Sequence, residues 1–318
     1  MYFDEWLQTF DWLHNPSRQC IISPDLDGVS CGLFQQIHLN WTVAGSYDGA
    51  KLSLFLDPDQ MDWERVVFLD MEILRRNAKS CGNHLLSAFD LHLESQKSEL
   101  INCANPNLWR GIQTWNSFQQ KYPFSTLPLI IAAHMTRDPD YRITDTWISL
   151  ILQTDSTFTN AAKYQENALA WLSEMGKTEQ ETAPIGRLCD SLRRLPAIRA
   201  LKHIDTIQSW AKNSGFGAKQ RPCRFDPTVP EQLTKIIHLT DYVIESLECN
   251  AHNPIDVAAV YHETFRTELL PSHTKRVLIQ GVERINDVRA ISLAITSRTD
   301  KGLSITHSKH DSICPHFR

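Results

Sequence analysis

Long apolar runs are absent. No window of the 318 residues approaches the roughly 18 uninterrupted apolar residues that a membrane span needs. The opening stretch, MYFDEWLQTF, carries Asp4 and Glu5 where a secretory signal is basic. A cytoplasmic protein with no membrane partner is therefore the expectation. Glycine is scarce, with 12 residues, and none falls into G-x-G-x-x-G or G-x-x-x-x-G-K-[ST], which excludes a dinucleotide fingerprint and a P-loop. The absence of H-E-x-x-H removes the helical zinc proteases. The 8 cysteines include no C-x-x-C pair, so a disulfide scaffold or zinc module is excluded and they read as reduced, mostly buried thiols.

What is present is a chain with 42% apolar residues, long enough for about two domains and too apolar for disorder. A formal charge of -5 excludes a surface coated in positive charge. That value hides an asymmetry: between Arg187 and Arg224 nine Lys/Arg face two Asp, so the negative balance lies elsewhere.

Trp6, Leu7, Phe10 and Leu13 recur at helical spacing and Asn15-Pro16 ends the pattern before the apolar run Cys20 to Ile22, which reads as helix, turn, strand. Further strand-like runs are Leu52 to Leu56, Val66 to Leu69, Leu100 to Cys103 and Leu129 to Ala133. Strands alternating with helices predict an α/β fold, a largely parallel sheet with helices on both faces. After Asp155, helices are expected over 161–175, 185–194, 197–212 and 231–249, and β-like runs over 276–282, 291–296 and 303–306. The expected organisation is an α/β metal-site domain over 1–160, a helical connecting region over 161–252 and a small β-containing C-terminal domain over 253–318.

The segment Ile21-Ile22-Ser23-Pro24-Asp25-Leu26-Asp27-Gly28 carries the most chemistry, because an apolar strand runs directly into D-x-D-G. The C-terminal ends of parallel strands form the crevice where α/β proteins bind ligands, and carboxylates collected there suit a hard divalent ion. Val66 to Asp70 delivers another aspartate in the same way, and Leu150 to Asp155 a third, from either a strand or a helix end. Singly, each Asp after a strand is equally a helix N-cap or turn residue. Together they repel unless a cation neutralises them.

In order and spacing these residues resemble the DHH phosphoesterase superfamily, and within it the RecJ-like nucleases. The resemblance runs over roughly Arg18 to Asp155: D-x-D-G at Asp25 and Asp27, the strand-end Asp70, Gly82-Asn83-His84, Asn105-Pro106-Asn107, and the late Asp155 before a helix. It implies a metal-dependent phosphoesterase that hydrolyses a phosphodiester, in single-stranded nucleic acid or a short oligonucleotide. Asp25, Asp27, Asp70 and Asp155 would hold Mn²⁺ or Mg²⁺, Asp70 bridging two ions, with His84 close to the substrate phosphate. Where the family has Asp-His-His this chain reads Gly82-Asn83-His84. Three outcomes are open: one ion instead of two, a site completed by another residue such as His134, Asp145 or Glu72, or a protein that binds nucleotide or nucleic acid without turnover. A small-molecule or cyclic-dinucleotide phosphodiesterase is a further alternative. Asn83 and His84 are candidate substrate contacts, with Arg193 and Arg194 from the basic stretch lining a groove for a phosphate backbone and Trp210 and Phe216 stacking bases. Oligomeric state is left open by the sequence.

Overall fold

A computed structural model describes residues 1–48, 51–73, 75–85, 100–112, 115–177, 184–194, 204–213, 230–247, 261–264, 289–295 and 303–308. Its strands are β1 Gln19–Ile22, β2 Thr42–Tyr47, β3 Lys51–Leu54, β4 Val66–Leu69, β5 Lys79–Cys81, β6 Cys103–Ala104, β7 Tyr261–Thr264, β8 Arg289–Ile295 and β9 Leu303–Ser308. The first seven form one mixed sheet in the order β6-β5-β4-β1-β2-β3-β7, and β8 and β9 pair as an antiparallel ladder of their own. β1 runs parallel to both neighbours, and β4, β5 and β6 continue parallel on one side. β3 and β7 close the other side antiparallel. From β1 the chain goes first to β2 and later returns to β4 on the opposite flank. The C-terminal ends of β1 and β4 are therefore the switch point at which an open α/β sheet forms a crevice.

Side chains alternate across the sheet, as the two-residue period of a strand requires. Cys20, Ile22, Val43, Val67 and Leu69 face a core shared with the helices, whereas Ile21, Ala44, Leu52, Leu54, Val66 and Phe68 face a second cluster. The helices on the first face include α1 Phe3–Gln8, α2 Leu26–Leu39, α3 Pro106–Trp109 and α4 Leu127–Arg137. The expectation of helices on both faces is not met among the described residues. The second cluster is closed by Met61, Met71 and Ile73, which lie in loops.

Leu129 to Ala133, read from the sequence as a strand, lies inside α4. Leu127 through Ala133 are all buried, so no polar stripe betrays the helical period. Pro128, in the first turn, was the available signal of a helix start. β2 and β5 carried little strand signal: Gly45 dilutes the first, and Lys-Ser-Cys is the whole of the second.

The chain continues through α5 Asp145–Gln153, α6 Thr157–Lys163, α7 Gln165–Met175, α8 Pro184–Arg193, α9 Ile204–Asn213 and α10 Pro230–Ser246. The expected helices over 161–175, 185–194 and 231–249 are thus present with shifted ends, and of 197–212 the part from Ile204 on is helical, 197–203 lying outside the described residues. The first apolar cluster runs on from the sheet into these helices, taking in Trp171, Leu188, Ile207 and Val243. Strands appear at 291–296 and 303–306 as expected, and 276–282 lies outside the described residues. Cys20, Cys31, Cys81, Cys103 and Cys189 are free and buried, and the other three cysteines lie outside the described residues. Among the described residues no helix is long and apolar enough to cross a membrane.

His38 at the end of α2 and His134 in α4 meet Tyr141 edge-on and lie against each other, with ring centroids 4.8 to 5.0 Å apart, and Phe34 packs against all three. His14 lies in the same neighbourhood, within electrostatic reach of His134, Arg137 and Asp11. Burial, then Arg137 and His134, lowers His14 to about 4; burial, then His134, lowers His38 to about 4 against the opposing pull of Asp138. A histidine depressed in the folded state contributes stability that is present above its unfolded value near 6.5 and is lost as pH falls toward 4. At about 2–3 kcal/mol per ring this is a large share of the roughly 5–15 kcal/mol a domain possesses. The double variant His14→Leu, His38→Phe is therefore expected to lose less stability than wild type between pH 6.5 and 4.5. Urea unfolding at several pH values measures the difference; parallel curves would refute the assignment.

Candidate metal centre

Asp25 closes the turn after β1 and caps α2, its Oδ1 accepting the Gly28 amide at 3.1 Å and the Ser23 hydroxyl at 2.7 Å. A side chain at Gly28 would collide with the Ser23 backbone, which is why this turn ends in Asp-Gly. Two residues on, Asp27 projects from the first turn of α2 and is 1% exposed. Its oxygens accept the amides of Thr126 at 2.6 Å and Leu127 at 3.1 Å, the free N–H groups at the start of α4.

Asp70 follows β4 directly, in the left-handed region at φ 61°. It shares the single Ser23 hydroxyl proton with Asp25 and accepts the Thr126 hydroxyl at 2.7 Å. Asp155 reaches the same corner from the turn after α5, where it and Ser156 both have positive φ (48° and 57°). That turn is tied to the start of α4: Thr154 Oγ1 donates to Ser125 Oγ at 2.6 Å and the Ser125 amide to Thr157 Oγ1 at 3.0 Å. Asp and Asn tolerate left-handed backbone best among non-glycine residues, and strained positions concentrate at functional sites.

One carboxylate oxygen each from Asp27, Asp70 and Asp155 lies within 4.8 Å of the others, an arrangement that could hold a divalent metal ion. Burial first, then the charges of Asp155 and Asp25, pushes Asp27 up to about 8 against the opposing bond from Thr126. Burial, then Asp27, Asp25 and Asp155, holds Asp70 well above the usual carboxylate range. Of the four expected ligands, three converge. Asp25 is outside that group and is linked to Asp70 through Ser23.

Asn83 lies against this group, its Nδ2 donating to Asp155 Oδ2 at 3.0 Å and to the Phe124 carbonyl at 2.9 Å. Both partners are acceptors, which fixes the orientation of the amide. Its Oδ1 is then left buried without a protein partner. His84 points its Nδ1 at Glu72 Oε2, 3.2 Å away, and donates its amide to Glu72 Oε1 at 2.8 Å. Burial lowers the His84 pKa, but the charge and hydrogen bond of Glu72 outweigh it and the net shift is upward. Asn105 Nδ2 donates to Glu72 Oε1 and to the His84 carbonyl, and Asn107 Nδ2 to the Asn83 carbonyl. The Asn-Pro-Asn segment thus holds the 83–84 turn from beneath.

Glu72, given from sequence as a possible compensating carboxylate, is 2% exposed and spends both oxygens on His84 and Asn105. A Cβ at residue 82 would meet the Glu72 carboxylate, so this network requires glycine there. His134 packs in the Tyr141 cluster on α4, and Asp145 is exposed in the first turn of α5; neither joins the carboxylate group. Arg193 donates to the Leu172 carbonyl and to Asp190, binding α8 to α7, and Arg194 is exposed. The Trp210 side chain and Phe216 lie outside the described residues. Sequence reading missed Lys121, whose charge acts on Asp155, Glu72 and His84. A scan of family models and searches of curated proteins and of solved structures returned no match.

The Gly82→Ala variant should displace Glu72 and cost about 1–3 kcal/mol in denaturant unfolding, the penalty of stranding buried hydrogen-bonding groups; a change within error would mean that Glu72 moves freely. Asp70→Asn tolerates the positive φ, removes one charge and can donate to Asp27. It is expected to abolish Mn²⁺ binding while raising metal-free stability by about 1 kcal/mol, more at pH 9 than at pH 6, because the repulsion it relieves grows as the acids ionise. Unchanged Mn²⁺ binding in calorimetry would remove Asp70 from the site.

Proposed function

We propose that the chain is a divalent-metal-dependent phosphoesterase, similar to the RecJ-like members of the DHH superfamily, hydrolysing a phosphodiester in single-stranded nucleic acid or a short oligonucleotide. The observation that carries this reading is the convergence of Asp27, Asp70 and Asp155 at the switch point of the sheet, two of them on left-handed residues. The buried, unpartnered Oδ1 of Asn83 beside Asp155 supports it, since a cation would satisfy an oxygen that the protein leaves empty. An all-oxygen donor set of carboxylates and an amide carbonyl suits Mg²⁺ or Mn²⁺ better than softer metals.

A divalent ion there would supply Lewis-acid polarisation of a phosphoryl oxygen and lower the pKa of a water. The rest of the chemistry falls to the side chains. Asp27, Asp70 and Asp155 would hold the ion, with Asn83 completing the set. Glu72 fixes the His84 ring through Nδ1 and favours its cationic form, so that Nε2 can hold a phosphate oxygen or protonate a leaving oxygen. Among the described residues, the basic stretch gives a polymer substrate modest support. Arg187 donates to the Pro139 carbonyl and Arg193 to Leu172, so both are committed to helix packing.

Calorimetric titration of metal-free protein with Mn²⁺, paired with hydrolysis of bis(p-nitrophenyl) phosphate and of a single-stranded oligonucleotide, tests this function. Binding with metal-dependent turnover is expected, both lost in Asp155→Ala. His84→Ala should keep Mn²⁺ affinity and lower turnover about 100-fold, the size of a lost general acid. Tight Mn²⁺ binding without hydrolysis would make this a binding protein built on the same site, a reading that the neutral Asn83 favours; failure to bind would overturn the metal centre itself.

A further inference from the structure

We propose that Lys121 binds the substrate phosphate at the carboxylate corner, so that the site takes ligands through a phosphate anion rather than through a base or sugar. This rests on the phosphoesterase reading and names the group that reading lacks. Lys121 opens the segment that borders the site, and that segment is fixed on several sides. The Lys121 carbonyl accepts Asn167 Nδ2 at 2.9 Å, the Tyr122 amide donates to Asn107 Oδ1 at 2.7 Å, and the Phe124 carbonyl accepts Asn83 Nδ2. Asn107, which holds the Asn83 carbonyl, therefore also fixes the segment that carries Lys121.

The Lys121 side chain is part-buried, its ammonium 5.0 Å from the centroid of the Phe118 ring. It lies near enough to Asp155, Glu72 and His84 for their charges to act on one another. No ion pair or side-chain hydrogen bond joins it to any of them among the described residues. A structural lysine withdrawn from water would close a bond to a carboxylate, since an unpaired charge is costly there. Glu72 cannot serve, because both its oxygens are taken by His84 and Asn105. Among the described residues its three ammonium donors thus have no oxygen partner, within electrostatic reach of an acidic corner that would otherwise repel a phosphate. A point charge on a flexible stem is a common phosphate contact.

The test is calorimetry on the Mn²⁺-loaded full chain, with inorganic phosphate, a mononucleotide and a single-stranded oligonucleotide as probes. Lys121→Met keeps the stem and removes the charge. It is expected to weaken phosphate and mononucleotide binding about tenfold or more, as loss of a charge-assisted hydrogen bond implies, while Mn²⁺ affinity stays within about twofold. Lys121→Arg should recover most of the loss. If the Met variant does not fold, Lys121→Gln is read by the same ratio. Equal phosphate affinity in wild type and variant, with Mn²⁺ binding intact, overturns this inference alone. A loss confined to the oligonucleotide also overturns it, because the contact would then be to flanking backbone. A wild-type protein that takes no Mn²⁺ overturns the phosphoesterase reading and the inference with it.

Discussion

Asp27 and Asp70 are withdrawn from water in a corner they share with Asp155, and their mutual repulsion is the constraint on which the surrounding structure depends. In water, screening would make three such neighbours tolerable; in a partly dry corner each raises the proton affinity of the others. The protein answers with donors. Two backbone amides at the start of α4 go to Asp27, the Thr126 hydroxyl and the shared Ser23 hydroxyl go to Asp70, and the Asn83 amide goes to Asp155. Those bonds do not neutralise the charge. The acids are held in place, and Asp27 and Asp70 keep raised pKa values despite the donors, so that without a cation each retains its proton to higher pH. A purely structural corner would be more stable with an apolar or amide residue at one of these positions, so the arrangement has the character of a site in which stability gives way to binding.

The topology explains why these three residues meet. β1 and β4 are adjacent and parallel, with Ile22 opposite Leu69, so the turns that follow them open side by side. Asp70 takes the first position after its strand. On the β1 side the turn must reverse into α2, and Asp25 is consumed in capping that helix. One further turn of chain carries Asp27 over the crevice, where the start of α4 receives it. Asp155 comes from a different layer, and the hydroxyls of Thr154, Ser125 and Thr157 clamp its turn to the same α4 start. The N-terminus of α4 is thus the common anchor of the site. The first seven residues of that helix, Leu127 to Ala133, are buried on every side.

Much of the site was legible because its signal is local. An apolar run ending in Asp is visible at Ile22 and at Leu69, and D-x-D-G marks a turn in which glycine is sterically required. What was not legible depends on partners distant in the chain. Whether Asp25 or Asp27 faces the crevice is decided by the helix cap and by Thr126, about 100 positions downstream. Glu72 reads as a surface residue until Asn105 and His84 are folded over it. The α4 segment lacks a polar face, and without one a buried helix and a buried strand look alike. Lys121 sits in a turn with no motif of its own, and only the folded bonds of Tyr122 to Asn107 and of Phe124 to Asn83 bring its segment alongside the 83–84 turn.

The Gly82-Asn83-His84 segment shows how neighbouring residues constrain one another. With Gly82 in place, the Glu72 carboxylate occupies the space a side chain would fill, and from there it orients His84 and anchors Asn105. An acid introduced at 82 would therefore evict a carboxylate already engaged in holding His84. Asn83 follows the same logic: its Nδ2 holds Asp155 and the Phe124 carbonyl, which leaves Oδ1 as the atom able to face a cation. A histidine there would present one nitrogen to a metal and could not make both of those bonds while doing so. Gly82 and Asn83 are thus parts of one interlocked solution, in which a carboxylate from β4's turn and an amide from β5's turn share the work of orienting His84 and Asp155.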